Sequence, residues 1–507
     1  MCATNGEGIV NFVAQKMSTG DRAKWCGIFL ALFAGSALYG QSELTATSQQ
    51  TAYYGAATVA GSNGYTSDSQ AQNPYLGGVP TGTASPTPLS LSLEDAVGRG
   101  LRQNLGGLLS TDAVSGAKGD RWRALSELLP NLTTGTSFAV RQNNVRATIG
   151  INNVPGHPPV LGPFGVFDAR GYLDQTIFDW ESIERARSSA AQVKSAQYSY
   201  KNARELIVLV VVSNYLLVIA DQSQVESALA QRDTAKALLD QTTDQHTAGL
   251  AAAVDELRSN VELQAREQRL IVARNTLSKQ KLVLARAIGL PAGQAFDITT
   301  AVAYQPLTTS SLDEALQQAY ASRADYKSLT EQVRSAELQK KAASAERYPT
   351  VSGIADYGTI GTNPASNHGT VDAAAELRLP IFQGGRVHGD NLVADSLLAS
   401  VKQQLEDLRA RIDQEVRDAF LDLQDTAQEV SVEQNAIQLA TQTLRQSRDR
   451  FASGVTDDIE VVQAQESLAD ANDAYIASLY SYNTAKISLA RAMGVAESNY
   501  SLYLKGK

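Results

Sequence analysis

Apolar positions along this chain follow two rhythms. The first has a period of two. From Val371 to Phe382, the residues Val371, Ala373, Ala375, Leu377, Leu379 and Ile381 fall on one face, and Asp372, Ala374, Glu376, Arg378 and Pro380 on the other. Such alternation predicts a strand with one apolar face. A less regular partner covers Thr350 to Ile360. A second pair runs from Leu132 to Gln142 and from about Phe167 to Trp180. The loops between are Asn143 to Gly165, rich in Pro, Gly and Asn, and the shorter Gly361 to Thr370.

The second rhythm has steps of three and four. Leu405, Leu408, Ile412, Val416, Phe420 and Leu423 form one stripe within a run from about Arg386 to Phe451 that has no proline, and no glycine after Gly389. That is a helix with one apolar side. Sixty helical residues extend about 90 Å at roughly 1.5 Å per residue, a length no compact globule needs. A turn at Gly454 leads to a second helix, Asp457 to about Met493. An earlier stretch has the same form: Glu181 to about Thr247, a turn at Gly249, then Ala251 to Ile288. Two further helical stretches, Leu93 to about Leu129 and Leu312 to about Arg347, each stop before a proline, as expected where a helix ends.

These elements are one series written twice. Ser92-Leu93-Glu94-Asp95-Ala96 answers Ser311-Leu312-Asp313-Glu314-Ala315, and Pro130 answers Pro349, both at an offset of 219. Ile177-Phe178 answers Ile381-Phe382 at 204. Ala248-Gly249-Leu250 answers Ser453-Gly454-Val455, and Leu284 to Gly289 answers Leu489 to Gly494, both at 205. The offset falls between the proline and the Ile-Phe pair, so the first copy carries the longer loop there. Duplication on this scale predicts one long unit built twice and standing beside itself.

The strands alone leave their solvent open. About 9–11 alternating residues suit a transmembrane β-strand, but a hairpin half buried in a soluble domain alternates in the same way. Phe178, Trp180 and Phe382 at strand ends are compatible with an interfacial girdle. Leu206 to Ala220 is strongly apolar, yet its counterpart, Arg411 to Asp425, carries six charged side chains besides Arg411 (Asp413, Glu415, Arg417, Asp418, Asp422, Asp425). Equivalent elements share an environment, so this is read as a packed helix segment rather than a membrane span.

Composition adds a location. Arg22 and Lys24 precede the apolar run Ile28 to Ala34, and the small residues Gly35, Ser36 and Ala37 follow. That order is an export signal, read over residues 1–41. Both cysteines, Cys2 and Cys26, lie within it, so the exported chain is expected to use no disulfides. Residues 42–90 are poor in charge and in large apolar residues and read as a flexible leader. The organisation is then a first repeat over 91–290, a linker over 291–310, a second repeat over 311–495 and a tail over 496–507. Net charge is −9 and no basic cluster appears, which argues against nucleic acid as a partner.

Chemistry is hard to find. The four histidines, His157, His246, His368 and His388, share no metal-ligand spacing. Ser278-Lys279-Gln280-Lys281 fits Ser-x-x-Lys, but it lies in a helix without the companion motifs. No catalytic residue, cofactor or metal site is predicted, and the chain is read as a non-enzyme.

The ordered set resembles the TolC-like outer-membrane efflux family over nearly all of residues 90–495. It comprises the duplication, the order helix–strand–strand–long helix–helix, the step Leu379-Pro380-Ile381-Phe382-Gln383-Gly384-Gly385, and the two tips around Gly249 and Gly454. The resemblance implies a mainly helical protomer whose long antiparallel, coiled-coil-like helices form a periplasmic α-helical barrel. It also implies four β-strands per protomer, given to a twelve-stranded β-barrel shared by a homotrimer. The function implied is that of a passive exit duct for tripartite efflux or type I secretion. The implied partners are a periplasmic adaptor, an inner-membrane pump and outer-membrane lipid, with Val371, Ala373, Ala375, Leu377, Leu379 and Ile381 facing the lipid. Gly249, Leu250, Gly454 and Val455 would be adaptor-docking tips. Asp255 and Glu460, six residues after each tip glycine, would form a pore gate, although Gln463 stands where some members carry a second acid. For Asp457 and Asp458 the ordinary role is to favour the helix dipole. The alternative reading is a periplasmic helical rod or adaptor with no strands in lipid; an envelope enzyme or binding protein would need a pocket the sequence does not announce.

Overall fold

The computed structural model describes residues 73–144, 158, 160–249, 252–300, 304–307, 311–456 and 458–505, all within the unit Ser67–Lys507. The expected signal peptide, both cysteines, most of the leader and Leu250 lie outside the described residues.

Each repeat has the same order. In the first, β1 (Leu89–Leu91) precedes α1 (Leu93–Gln103), α2 (Leu105–Ser126), β2 (Asn131–Asn144), β3 (Val160–Phe178), α3 (Trp180–Thr247) and α4 (Ala253–Ala287). After β4 (Phe296–Ile298) the second gives α5 (Leu312–Ser322), α6 (Ala324–Ala345), β5 (Thr350–Asn363), β6 (Ser366–Arg378), α7 (Arg386–Ala452) and α8 (Asp458–Ala492). A last helix, α9 (Ala496–Lys505), occupies the expected tail.

Helix starts follow from the repeated serine. Ser92 Oγ accepts from the Asp95 amide at 3.1 Å and Ser311 Oγ from the Glu314 amide at 3.3 Å. Glu314 Oε2 in turn accepts from the Ser311 amide at 3.1 Å, which completes a capping box. The opening helix of each repeat is nevertheless two helices. It breaks at Asn104 (φ −65°, ψ 133°) and at Arg323 (φ −56°, ψ 123°), both outside the helical region.

Four strands form one antiparallel sheet in the order β2-β3-β5-β6. Directly paired residues share a face, so the register sorts the side chains. Leu132, Phe138 and Val140 of β2 stand with Leu173 of β3, Val351 and Tyr357 of β5, and Val371, Ala373, Ala375 and Leu377 of β6. Every Asp, Glu and Arg of the four strands lies on the opposite face. These are Arg141 on β2, Asp168, Arg170 and Asp174 on β3, Asp356 on β5, and Asp372, Glu376 and Arg378 on β6. There Arg170 bridges two strands, bonding Asp168 at 2.7 Å and Asp356 at 3.1 Å. The uncharged face is bare: Leu132, Tyr357, Val371 and Leu377 are each about 70% exposed or more.

Several boundaries differ from those the sequence suggests. Strand β6 stops at Arg378, so Leu379 and Ile381 continue the alternation outside the sheet, and Trp180 opens α3 instead of closing β3. The second hairpin loop is only Pro364-Ala365, pinned by Asn363 Oδ1, which accepts from the Ala365 and Ser366 amides at 2.9 and 2.8 Å. Within residues 73–90, expected as flexible leader, Tyr75 packs against the main core and the last residues enter β1, which pairs with β4.

That core is built around the middle of α3. Ile207, Val208, Val211, Val212, Tyr215, Leu216 and Val218 are buried among α1, α4, α8 and α9, and the Tyr215 hydroxyl donates to the Leu91 carbonyl at 3.1 Å. A second core gathers Ile412, Val416 and Leu423 of α7 against α5 and α8. The apolar stretch of α3 is long enough to cross a bilayer by length and composition, but its place is inside the helical body. Helix α3 packs on α1, α2, α4, α6, α8 and α9, whereas α7 packs on α5, α6 and α8. More neighbours demand more apolar sides, which is why Leu206 to Ala220 lacks the charges of its counterpart.

Candidate functional site

The long helices turn at two tips built on one plan. At the first, the Ala248 amide donates to Asp244 O at 3.0 Å and the Gly249 amide to His246 O at 2.9 Å. At the second, the Gly454 amide donates to Phe451 O and the Val455 amide to Arg450 O, both at 3.0 Å. Gly249 (φ +71°) and Gly454 (φ +70°) hold left-handed backbone, the conformation that ends helices and favours glycine. Among the described residues no atom lies near enough to either glycine to meet an added Cβ, so the turn itself accounts for the residue. Val455 projects outward, 68% exposed.

The candidate gate acids sit just inside each tip, each held within its own hairpin. Asp255 Oδ2 accepts from the Ala252 amide at 3.3 Å, capping α4, and Oδ1 accepts from Arg258 at 3.3 Å. Glu460 accepts from Thr456 Oγ1 at 2.6 Å and from Ser447 Oγ at 3.2 Å, with Arg450 Nη1 at 3.6 Å. The Thr456 hydrogen bond, aided by the Arg450 charge, holds the Glu460 carboxyl below the usual range.

One tie between the tips has no sequence signal. Arg258 of α4 pairs with the buried carboxylate of Asp458, the first residue of α8. The partners are 200 residues apart, so spacing along the chain could not have joined them. Asp458 therefore has a partner of its own besides its favourable place at a helix N-terminus.

The tips also differ. His246 Nδ1 lies 2.6 Å from Glu256 Oε2. The equivalent residues of the second tip, 205 further on, are Phe451 and Val461, which belong to one apolar cluster with Leu238, Leu444 and Ala464. A polar clasp in one copy is an apolar one in the other. Among the described residues no group of His, Cys, Asp or Glu is arranged to hold a metal ion.

Comparison with known proteins agrees with this architecture. Residues 126–290 and 315–495 match the family model described as outer membrane efflux protein, once in each repeat. The chain is 23% identical over 387 residues to outer membrane protein TolC of Escherichia coli K12, covering 73% of this chain and 76% of that protein. It is 21% identical over 337 residues to the alkaline protease secretion protein AprF of Pseudomonas aeruginosa, covering 64% and 69%. Among solved structures, the CmeC outer membrane channel of Campylobacter jejuni superposes with a TM-score of 0.70 at 15% identity, over 87% of this chain and 94% of that one. The outer membrane protein VceC of Vibrio cholerae gives 0.67 at 18% identity, over 79% and 96%. The chain belongs to the outer membrane efflux protein family and is a protein of the outer membrane with a large periplasmic helical part.

Proposed function

We propose that the protein is the outer-membrane exit duct of a tripartite efflux or type I secretion system. It would act as a homotrimer, docked through its tips to a periplasmic adaptor and thereby to an inner-membrane pump. The observation that carries this reading is the sorted sheet. A bare apolar face suits lipid, and a face bearing every charge suits a water-filled lumen. Four strands with open edges cannot stand alone in a bilayer, because unpaired backbone groups in hydrocarbon cost several kcal/mol each by rough measure. Three copies remove the edges. The exposed side chains of α4, Val254, Leu257 and Val261, recur at coiled-coil spacing and offer a seam for another helix.

In this reading Val371, Ala373, Ala375 and Leu377 face lipid, and Leu379 and Ile381 extend that surface below the strand. Gly249, Leu250, Gly454 and Val455 dock the adaptor. Asp255 and Glu460 ring the narrow end, and the Arg258–Asp458 pair holds the hairpins together while it is closed. No energy source or catalytic step is assigned to this chain; it is a passive conduit and not an enzyme. Conductance across planar bilayers tests the duct. Purified protein should open discrete channels, and Asp255→Ala with Glu460→Ala should lower their preference for cations. Protein that inserts without conducting would remove the duct reading.

A further inference from the structure

Adding 219 to a β2 position and 204 to a β3 position turns the register of the first hairpin into that of the second. Leu132↔Leu173 becomes Val351↔Leu377, and Asn131↔Asp174 becomes Thr350↔Arg378. The repeats are therefore equivalent strand for strand. Within one protomer they join at a single strand seam, β3 against β5. The same shift carries that seam onto β6 of one chain and β2 of another, which are the two unpaired edges of the sheet.

We propose that a second copy of this chain pairs its β2 with β6 in one defined register. Leu377 lies opposite Thr136 of the next copy, Ala375 opposite Phe138, Ala373 opposite Val140 and Asp372 opposite Arg141. Each pair is the image of an observed one: Leu173↔Ala355, Gly171↔Tyr357, Ala169↔Thr359 and Asp168↔Ile360. The inference rests on the oligomeric reading above and supplies what that reading lacks, the residues that meet.

Three independent features favour this register. Faces are preserved, so no charge enters the apolar side; a slip of one residue would set Arg141, the one charge of β2, level with the apolar side chains of β6. Asp372 meets Arg141, opposite charges directly across a strand pair, an arrangement that stabilises a sheet. A slip of two would set Arg141 against Thr370 or Ala374 instead. Finally, Phe178↔Val351 maps onto Phe382 opposite Leu132 of the next copy. Phe382 and Leu132 are 88% and 77% exposed in the single chain, and each would cover the other. That also explains why β6 stops at Arg378 in one protomer: the strand that would pair with Leu379 to Phe382 belongs to the neighbour.

The helices obey the same operation. Helix α3 packs closely on α6, whereas their equivalents α7 and α2 have no comparable packing among the described residues of one protomer. Exposed Leu392 and Val393 of α7 would then meet α2 of the next copy, where Gly116 has open space beside it.

Disulfide trapping in the full chain tests the register. Ala373→Cys with Val140→Cys places two thiols opposite each other. Opposed residues in antiparallel strands are about 4.5–5.5 Å apart at Cα, within the range a disulfide spans. Within one chain the two positions sit on opposite edges of the sheet, Ala373 level with Leu132 and so eight residues out of step with Val140; three strands at roughly 4.8 Å and that offset at about 3.4 Å per residue put them about 30 Å apart, so any disulfide is between copies. The expected result is a covalent trimer on a non-reducing gel, with at least about fivefold less from the shifted pair Ala375→Cys with Val140→Cys. Separately, Arg141→Asp or Asp372→Arg should each reduce trimer yield, and the two together should restore it. Equal or better cross-linking by the shifted pair, or no rescue by the double swap, would overturn the register. A monomeric mass for the unaltered protein would instead remove the oligomeric reading beneath it.

Discussion

Asn104 and Arg323 do the same job in the two repeats with different chemistry. They are 219 residues apart, each is nearly fully buried, and each breaks the opening helix of its repeat. Asn104 Nδ2 donates to Ala287 O at 3.2 Å, and Arg323 Nη1 to Ala492 O at 3.4 Å. Those acceptors are themselves equivalent, 205 residues apart and at the ends of α4 and α8. Each break is thus tied to the returning helix of its own repeat. Arg323 carries more, because its guanidinium also bonds Asp325 at 3.0 and 2.6 Å and pairs with Glu415.

Substitution should reveal that difference. Asn104→Ala leaves carbonyls of Tyr75 and Ala287 without this donor and should cost about 1–3 kcal/mol. Arg323→Ala strands a mostly buried Asp325 carboxylate and should cost about 3–5 kcal/mol. Thermal melting of detergent-solubilised protein should rank Arg323→Ala well below Asn104→Ala. Equal melting temperatures would contradict the role given to the charge cluster.

The sheet's faces can be separated by neighbours in sequence. Leu377→Arg puts a cation on the apolar face and should cost up to about 2–4 kcal/mol per protomer, according to depth in the bilayer. Glu376→Gln, one residue away on the charged face, should leave assembly unchanged. Trimer yield in outer-membrane fractions reads both. Normal yield from Leu377→Arg would count against lipid on that face.

Arg258 joins α4 to Asp458 at the start of α8. Arg258→Ala should loosen the narrow end and raise single-channel conductance severalfold. Asp458→Asn should do the same to a smaller degree, since it keeps a hydrogen-bonding group. Unchanged conductance in both would make the pair a packing feature with no part in gating.

Glu205 of α3 should give a pH-dependent effect of known sign. Burial pushes its carboxyl above the usual range, despite the hydrogen bond it accepts from the Glu497 amide at 3.1 Å. A raised folded-state value means the charged form opposes folding, so this site destabilises at neutral and alkaline pH and relaxes as protonation sets in. Glu205→Gln should therefore melt higher than the unaltered protein at pH 8, with the gain shrinking as pH falls toward about 4. A gain independent of pH would show that desolvation of the charge is not the cause.

The order of elements was legible because period-two and period-three-and-four patterns stay distinct over long runs. The long helices end within a few residues of where Gly249 and Gly454 place them. Of the two breaks, the one at Asn104 has a local signal, since asparagine caps helices and Asn104 Oδ1 accepts from the Gly106 amide at 3.0 Å; the one at Arg323 was not legible, because arginine is a good helix former and acts here through partners far away in sequence. The end of β6 at Arg378 departs from the alternation for a different reason. The alternation through Leu379 and Ile381 is real, but a strand exists only where a partner pairs with it, and β5 reaches no further than Thr350. At the tips, Asp255 and Glu460 were legible as equivalent acids, whereas the Arg258–Asp458 tie depends wholly on the fold.

The most direct measurement is the mass of the protein extracted by detergent from outer-membrane fractions, with bound detergent subtracted. Three copies per particle are expected. A single copy, or protein found in the soluble periplasm, would contradict the shared barrel and with it the duct.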